Sequence, residues 1–106
     1  MNNRFDLIVA IVNRGFSDLV MDAARAAGAG GGTVLHAKGT GTAIAEKFYG
    51  ISLAEEKEMV FIVTRAEEKR AIMEGVTEKA GLNTPARAVS FSLPVSETAG
   101  LRFFEK

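Results

Sequence analysis

The residues best placed to do chemistry are Lys38-Gly39-Thr40-Gly41-Thr42, at the head of a polar connection of about twenty residues between two strand-like runs. Compact domains usually join their elements through about four to six residues, and longer connections are functional or disordered. Function is therefore sought in this connection. Elsewhere the chemistry is thin. His36 alternates with Leu35 on a strand and has no neighbouring acid or second histidine in sequence, which suits packing or pairing better than ligation or base catalysis. Glu55 with Glu56, and Glu67 with Glu68, are acid pairs able to hold a divalent ion, but such pairs usually form solvated surface. Ser90 and Ser92 have no base at a recognisable spacing. No acid, base and nucleophile converge, so the residues favour a small-molecule-sensing or partner-binding module over an enzyme.

Composition narrows the partners. Thirteen basic and thirteen acidic residues cancel, and the pI near 6.6 lacks the strongly basic signature of nucleic-acid binding. The absence of cysteine excludes disulfides, thiol catalysis and cysteine-ligated zinc, and a single histidine leaves metal binding to carboxylates. The opening MNNRFDLIVAIVNRG holds only a short apolar run before Asn13 and Arg14, too short for a signal peptide or a membrane span. A cytoplasmic protein is expected. The 106 residues suffice for one core and show no internal linker, so residues 1–106 are read as a single domain.

The elements that must carry the connection follow from periodicity. Phe5–Val12 is a β-branched, apolar run closed by Asn-Arg-Gly and reads as a strand. Phe16, Leu19, Val20, Ala23, Ala24 and Ala27 recur at helical spacing, with Gly28 as a left-handed stop. Thr33–Ala37 and Met59–Val63 are the second and third strands, flanking the connection. Thr64 with Glu67 fits a capping box, which predicts a second helix from near Arg65. Its apolar face is Ile72, Met73, Val76 and Ala80, and Gly81 stops it before the turn Asn83-Thr84-Pro85. Val89, Phe91, Leu93 and Val95 alternate with small and polar residues as a fourth strand. The order βαββαβ is that of an α+β ferredoxin-like sandwich, two helices on one face of a four-stranded antiparallel sheet.

The strands also predict assembly. Phe5, Leu7, Val9 and Ile11 lie on one side of the first strand and Ile8, Ala10 and Val12 on the other; Met59, Phe61 and Val63 likewise oppose Val60 and Ile62. Both faces of the sheet are apolar, and two helices cover only one. The open face is therefore expected to be buried by self-association in a closed ring, the alternatives being barrel-like closure or cover from the tail Leu101–Phe104.

The LIVAIV strand, a helix ending in Ala-Ala-Gly, a glycine-rich turn, TVLHAKGTG, a long loop, FIVT, a helix and a closing strand resemble the P-II nitrogen-regulatory signalling superfamily over almost the whole chain to about Val95. The most specific piece, Gly32-Thr33-Val34 to Lys38-Gly39-Thr40-Gly41, looks like that family's second strand running into its T-loop, which here spans about 39–58. The resemblance implies a ferredoxin-like homotrimer with ligand clefts between subunits, where adenine nucleotides meet the T-loop base and the B-loop. It also implies regulation of a partner protein, a transporter or an enzyme, and no catalysis.

Carried onto this chain, the resemblance places Gly39, Thr40, Gly41 and Thr42 at the T-loop base, where two glycines let backbone amides approach a phosphate. The B-loop corresponds to Gly81–Arg87, and Arg87 stands where the family has a phosphate-contacting lysine. Departures matter as much. The B-loop GLNTPAR is poorer in glycine than the family's, and Pro85 lacks an amide donor. The family's C-terminal basic residues are replaced by Ser96-Glu97-Thr98, with only Arg102 nearby. A mono- or diphosphate such as AMP or ADP, or a different anion, therefore suits the site better than ATP, and a wholly different ligand is the remaining alternative. Tyr49 does not align with the tyrosine that family members have modified, so Lys47, Phe48 and Tyr49 are read as a partner-facing part of the loop. Lys47 with Glu55, Glu56, Lys57 and Glu58 makes the loop charged, as in a segment that orders on binding. The alternative from another class is a metal-linked trimer like the CutA-type divalent-cation-tolerance proteins, which share this architecture.

Overall fold

The apolar runs form strands and the 3.6-residue patterns form helices, in the expected order. The computed structural model describes residues 4–38 and 56–100. It contains β1 (Phe5–Asn13), α1 (Ser17–Ala26), β2 (Thr33–Lys38), β3 (Glu56–Arg65), α2 (Lys69–Ala80) and β4 (Val89–Val95). The sheet is antiparallel throughout, in the order β2-β3-β1-β4. This is the ferredoxin-like sandwich.

Register sorts the residues between the two faces. Ile8 pairs with Ile62 and Ala10 with Val60 on the side covered by the helices, and all four are fully buried. Val20, Met21, Ala23 and Ala24 of α1 and Ile72, Val76 and Ala80 of α2 close over them. The helices approach closely at Gly75, where an added Cβ would lie 3.4 Å from Ala27 Cβ. Asp6, buried on the same side, lies 2.9 Å from the Lys69 ammonium and so links β1 to the start of α2.

The helix ends differ in mechanism. Gly28 has a φ of +118°, and the N–H groups of Gly28 and Ala29 donate to the carbonyls of Arg25 and Ala24 at 3.0 and 2.9 Å, a Schellman stop as the sequence predicts. Gly81 also ends its helix, but in extended backbone with φ −75°. Glycine is needed there because a Cβ would strike the Thr77 carbonyl.

Two expectations need correction. The capping box does not form: Thr64 is still in β3, paired with Asp6 and buried, and its hydroxyl caps no amide of the helix start. It reaches Glu68 Oε1 at 3.4 Å instead, and α2 is entered through a 3-10 turn at Ala66–Glu68. In addition, β3 begins at Glu56, three residues before the apolar run. Polar cross-strand partners extend it: Glu56 pairs with Lys38, Lys57 with both Ala37 and Asn13, and Glu58 with His36. Lys57 and Glu58 are thus buried strand residues rather than charges on a loop.

The second face is apolar as expected. Leu7, Val9 and Ile11 face Val63, Phe61 and Met59 on one side and Leu93, Phe91 and Val89 on the other. Leu35, Phe91 and Leu93 remain 44%, 45% and 46% exposed in the single chain. The tail Leu101–Phe104 lies outside the described residues.

Candidate functional site

Antiparallel pairing brings one end of the sheet together. The end of β1 (Asn13), the end of β2 (Lys38), the start of β3 (Glu56–Glu58) and the approach to β4 (Pro85–Ala88) all lie there. Gly39, Thr40, Gly41 and Thr42, with Lys47, Phe48 and Tyr49, fall outside the described residues. Their flanking residues Lys38 and Glu56 are register partners at this end, and Glu56 Oε1 holds the Arg14 guanidinium at 2.6 Å.

The turn 81–88 is closed by its own backbone. The Gly81 carbonyl accepts the Thr84 N–H at 3.0 Å and the Thr84 hydroxyl at 2.8 Å, the Thr84 carbonyl accepts the Arg87 N–H at 3.2 Å, and the Ala80 carbonyl accepts the Ala88 N–H at 2.7 Å. The amides of Thr84, Arg87 and Ala88 are therefore engaged internally, and Pro85 has none. A cradle for a long phosphate chain is not built from these groups. Arg87, exposed, has a φ of +51°, a left-handed conformation that costs a residue with a Cβ about 1–2 kcal/mol.

Lys57 is the residue that sequence reasoning missed. Its side chain is 5% exposed, and its ammonium donates to Asn13 Oδ1 at 2.7 Å. Among the described residues no carboxylate lies within ion-pair distance of it. A buried ammonium whose one partner among the described residues is neutral retains much of its desolvation penalty there, and an anion would relieve it. The missed signal was the β1–β3 register, which sets Lys57 opposite Asn13. The Asn13 side-chain amide also donates to the Pro85 carbonyl at 3.0 Å, and its backbone N–H to the Ala86 carbonyl at 3.0 Å. The strand bearing Lys57 and the turn bearing Arg87 thus meet at one residue.

Other sequence candidates are structural here. His36 faces Glu58, Nδ1 to Oε2 at 3.7 Å, and so pairs with an acid remote in sequence. Ser90 and Ser92 lie in β4 opposite Ala10 and Ile8, which offer no base. Among the described residues, no three His, Asp or Glu side chains are grouped to hold a metal ion. At the opposite end of β3 a cleft of about 530 Å³ is walled by Gly30, Gly31 and Gly32, Phe61, Val63 and Arg65. Its lining on β3 begins at Phe61, four residues, about 13 Å, along the strand from Lys57.

Comparison with known proteins places this architecture. The family model described as nitrogen regulatory protein P-II matches residues 5–104. Among solved structures, Arabidopsis thaliana PII bound to citrate superposes with a TM-score of 0.71 at 22% identity, over 95% of this chain and 83% of that one. A putative PII-like signaling protein from Thermus thermophilus gives a TM-score of 0.65 at 13% identity, over 88% of each chain. None of the curated proteins compared matches.

Proposed function

The chain belongs to the nitrogen regulatory protein P-II family, and from that premise we propose that it is a homotrimeric sensor that binds a small anion between subunits and controls a partner protein through the segment near 39–55, between β2 and β3. The supporting observation is the buried Lys57 ammonium, satisfied by a neutral oxygen, at the end of the sheet where that segment begins and the turn presents Arg87. A buried charge of this kind is poised for an anionic ligand.

The apolar second face supports assembly. Burying Leu35, Phe91 and Leu93 against other copies removes a patch that soluble monomers rarely leave exposed. A head-to-tail ring would also bring the Lys57 end of one copy near the glycine-walled end of the next, where Phe61 and Val63 offer an apolar wall to a base.

The effector in this reading is AMP or ADP rather than ATP, because the turn has few amides to spare for a third phosphate. Gly39, Thr40, Gly41 and Thr42 contribute the opposite wall, Lys47, Phe48 and Tyr49 meet the partner, and ligand binding selects one arrangement of the segment. The role is regulatory and cytoplasmic, with a transporter or enzyme as the regulated protein. No helix among the described residues is long and apolar enough to cross a membrane.

Calorimetric titration with AMP, ADP, ATP and cyclic AMP, beside light scattering and a chelator control, tests this reading. Saturable, chelator-insensitive binding of AMP or ADP near one per subunit by a trimer is expected. A trimer that binds none of them but shifts with copper, zinc or nickel would replace it with the metal-linked alternative.

A further inference from the structure

We propose that Asn13 is the positioning residue through which the state of Lys57 is transmitted to the turn bearing Arg87, an inference that rests on the anion-sensing reading. One planar amide faces both. Its oxygen accepts from the Lys57 ammonium at 2.7 Å, and its nitrogen donates to the Pro85 carbonyl at 3.0 Å. The orientation is fixed by these partners, since the reverse would set an NH₂ group against an ammonium and an oxygen against a carbonyl.

The pairing with Lys57 is replaceable. An amide oxygen is a neutral acceptor, whereas a carboxylate or phosphate gives the shorter, stronger, charge-assisted bond that Lys57 does not make among the described residues. An arriving anion therefore takes Lys57 from Asn13. The oxygen and nitrogen of Asn13 belong to one rigid group, so a side chain released at one end loses its alignment at the other. What it holds is the Pro85 carbonyl, in a turn whose later residue Arg87 is already in a left-handed conformation. Residues held in such conformations persist only while their surroundings enforce them. Occupancy at Lys57 thus becomes a change in the turn, and Asn13 is neither a ligand nor a spectator.

The relay is tested by amide hydrogen exchange across Thr84–Ala88 in the full chain, comparing wild type with Lys57→Met, Asn13→Ala and the double variant. Lys57→Met is expected to speed exchange in the turn about 5-fold or more, although it lies on another strand, and to add nothing once Asn13 is alanine. Asn13→Asp keeps an acceptor for Lys57 but loses the donor to Pro85; it should leave the strands protected while loosening the turn. Independent effects of the two substitutions, or a turn unchanged in Lys57→Met, would overturn the proposal. In a second arm inorganic phosphate, citrate, AMP and ADP are added in turn. An anion that alters exchange at Thr84–Ala88 in wild type but not in Asn13→Ala supports the relay and separates phosphate from carboxylate recognition. A wild type that binds none of the four removes the anion-sensing reading and its half of the inference, while the ligand-free comparison still decides the role of Asn13.

Discussion

Glu58 of β3 caps α1 by accepting the Ser17 N–H on Oε1 at 3.1 Å, forty-one residues away in sequence. The same oxygen takes the Gly15 N–H at 3.3 Å. Phe16 occupies the N-cap position and has no side-chain oxygen to offer, so the cap comes from a neighbouring strand.

Burial raises the Glu58 pKa, but hydrogen bonds from Ser17 and Gly15 and the charge of His36 together bring it below its ordinary value. The folded pKa then lies under the unfolded one near 4.3, so this stabilisation is present above that pH and is lost as pH falls through the folded value. Glu58→Gln should cost about 1 kcal/mol at neutral pH and flatten the decline in stability below about pH 5. Denaturant melts across pH would check it; parallel curves for the two proteins would remove Glu58 from the account.

Gly32 has no positive φ to protect, but a Cβ there would lie 2.8 Å from the Phe61 carbonyl oxygen and 3.0 Å from Met21 Sδ. Gly32→Ala is expected to destabilise the chain by about 1–3 kcal/mol, through backbone displacement. Gly31, with nothing within 4 Å of its Cβ direction, provides the control, and Gly31→Ala should change stability by about 0.5 kcal/mol or less. Equal effects in thermal melts would contradict the packing of Gly32 on β3.

Arg87 adopts the left-handed region that favours glycine. Arg87→Gly and Arg87→Ala lose the same guanidinium, so their difference isolates the backbone. The glycine variant should be the more stable by about 1 kcal/mol, and under the proposed effector reading both should weaken AMP or ADP binding alike. An alanine variant as stable as the glycine one would mean that the turn is not left-handed in solution.

Phe91 and Leu93, opposite Val9 and Leu7, are on the uncovered face. A glutamate at Leu93 should cost the folded chain little, because the position is half exposed, yet under the proposed trimeric assembly it should lower the mass measured by light scattering from that of a trimer. An unchanged trimer with Leu93→Glu would show that another surface holds the copies together.

Much of the fold was legible because its signals are local. The continuous apolar run of β1, the two-residue alternation in β4, the 3.6-residue spacing in α1 and α2, and Gly28 after α1 each act through neighbours, and all are realised in the structure. Thr64 misled because a capping box and a buried strand threonine look alike until the partner strand is known. Of the candidate site, Arg87 could be found by resemblance. Lys57 could not, since in sequence it stands in a run of four charges beside the long connection.

The sequence by itself thus determined the order of the elements, the apolar character of both sheet faces and the position of the long connection between β2 and β3. Tertiary structure alone decided that Lys57 is buried against Asn13, that Asn13 holds Pro85 and Ala86, and that Glu58 caps α1. These contacts join residues 41 to 73 positions apart, and they depend on register, in which a slip of one residue would send each side chain to the other face.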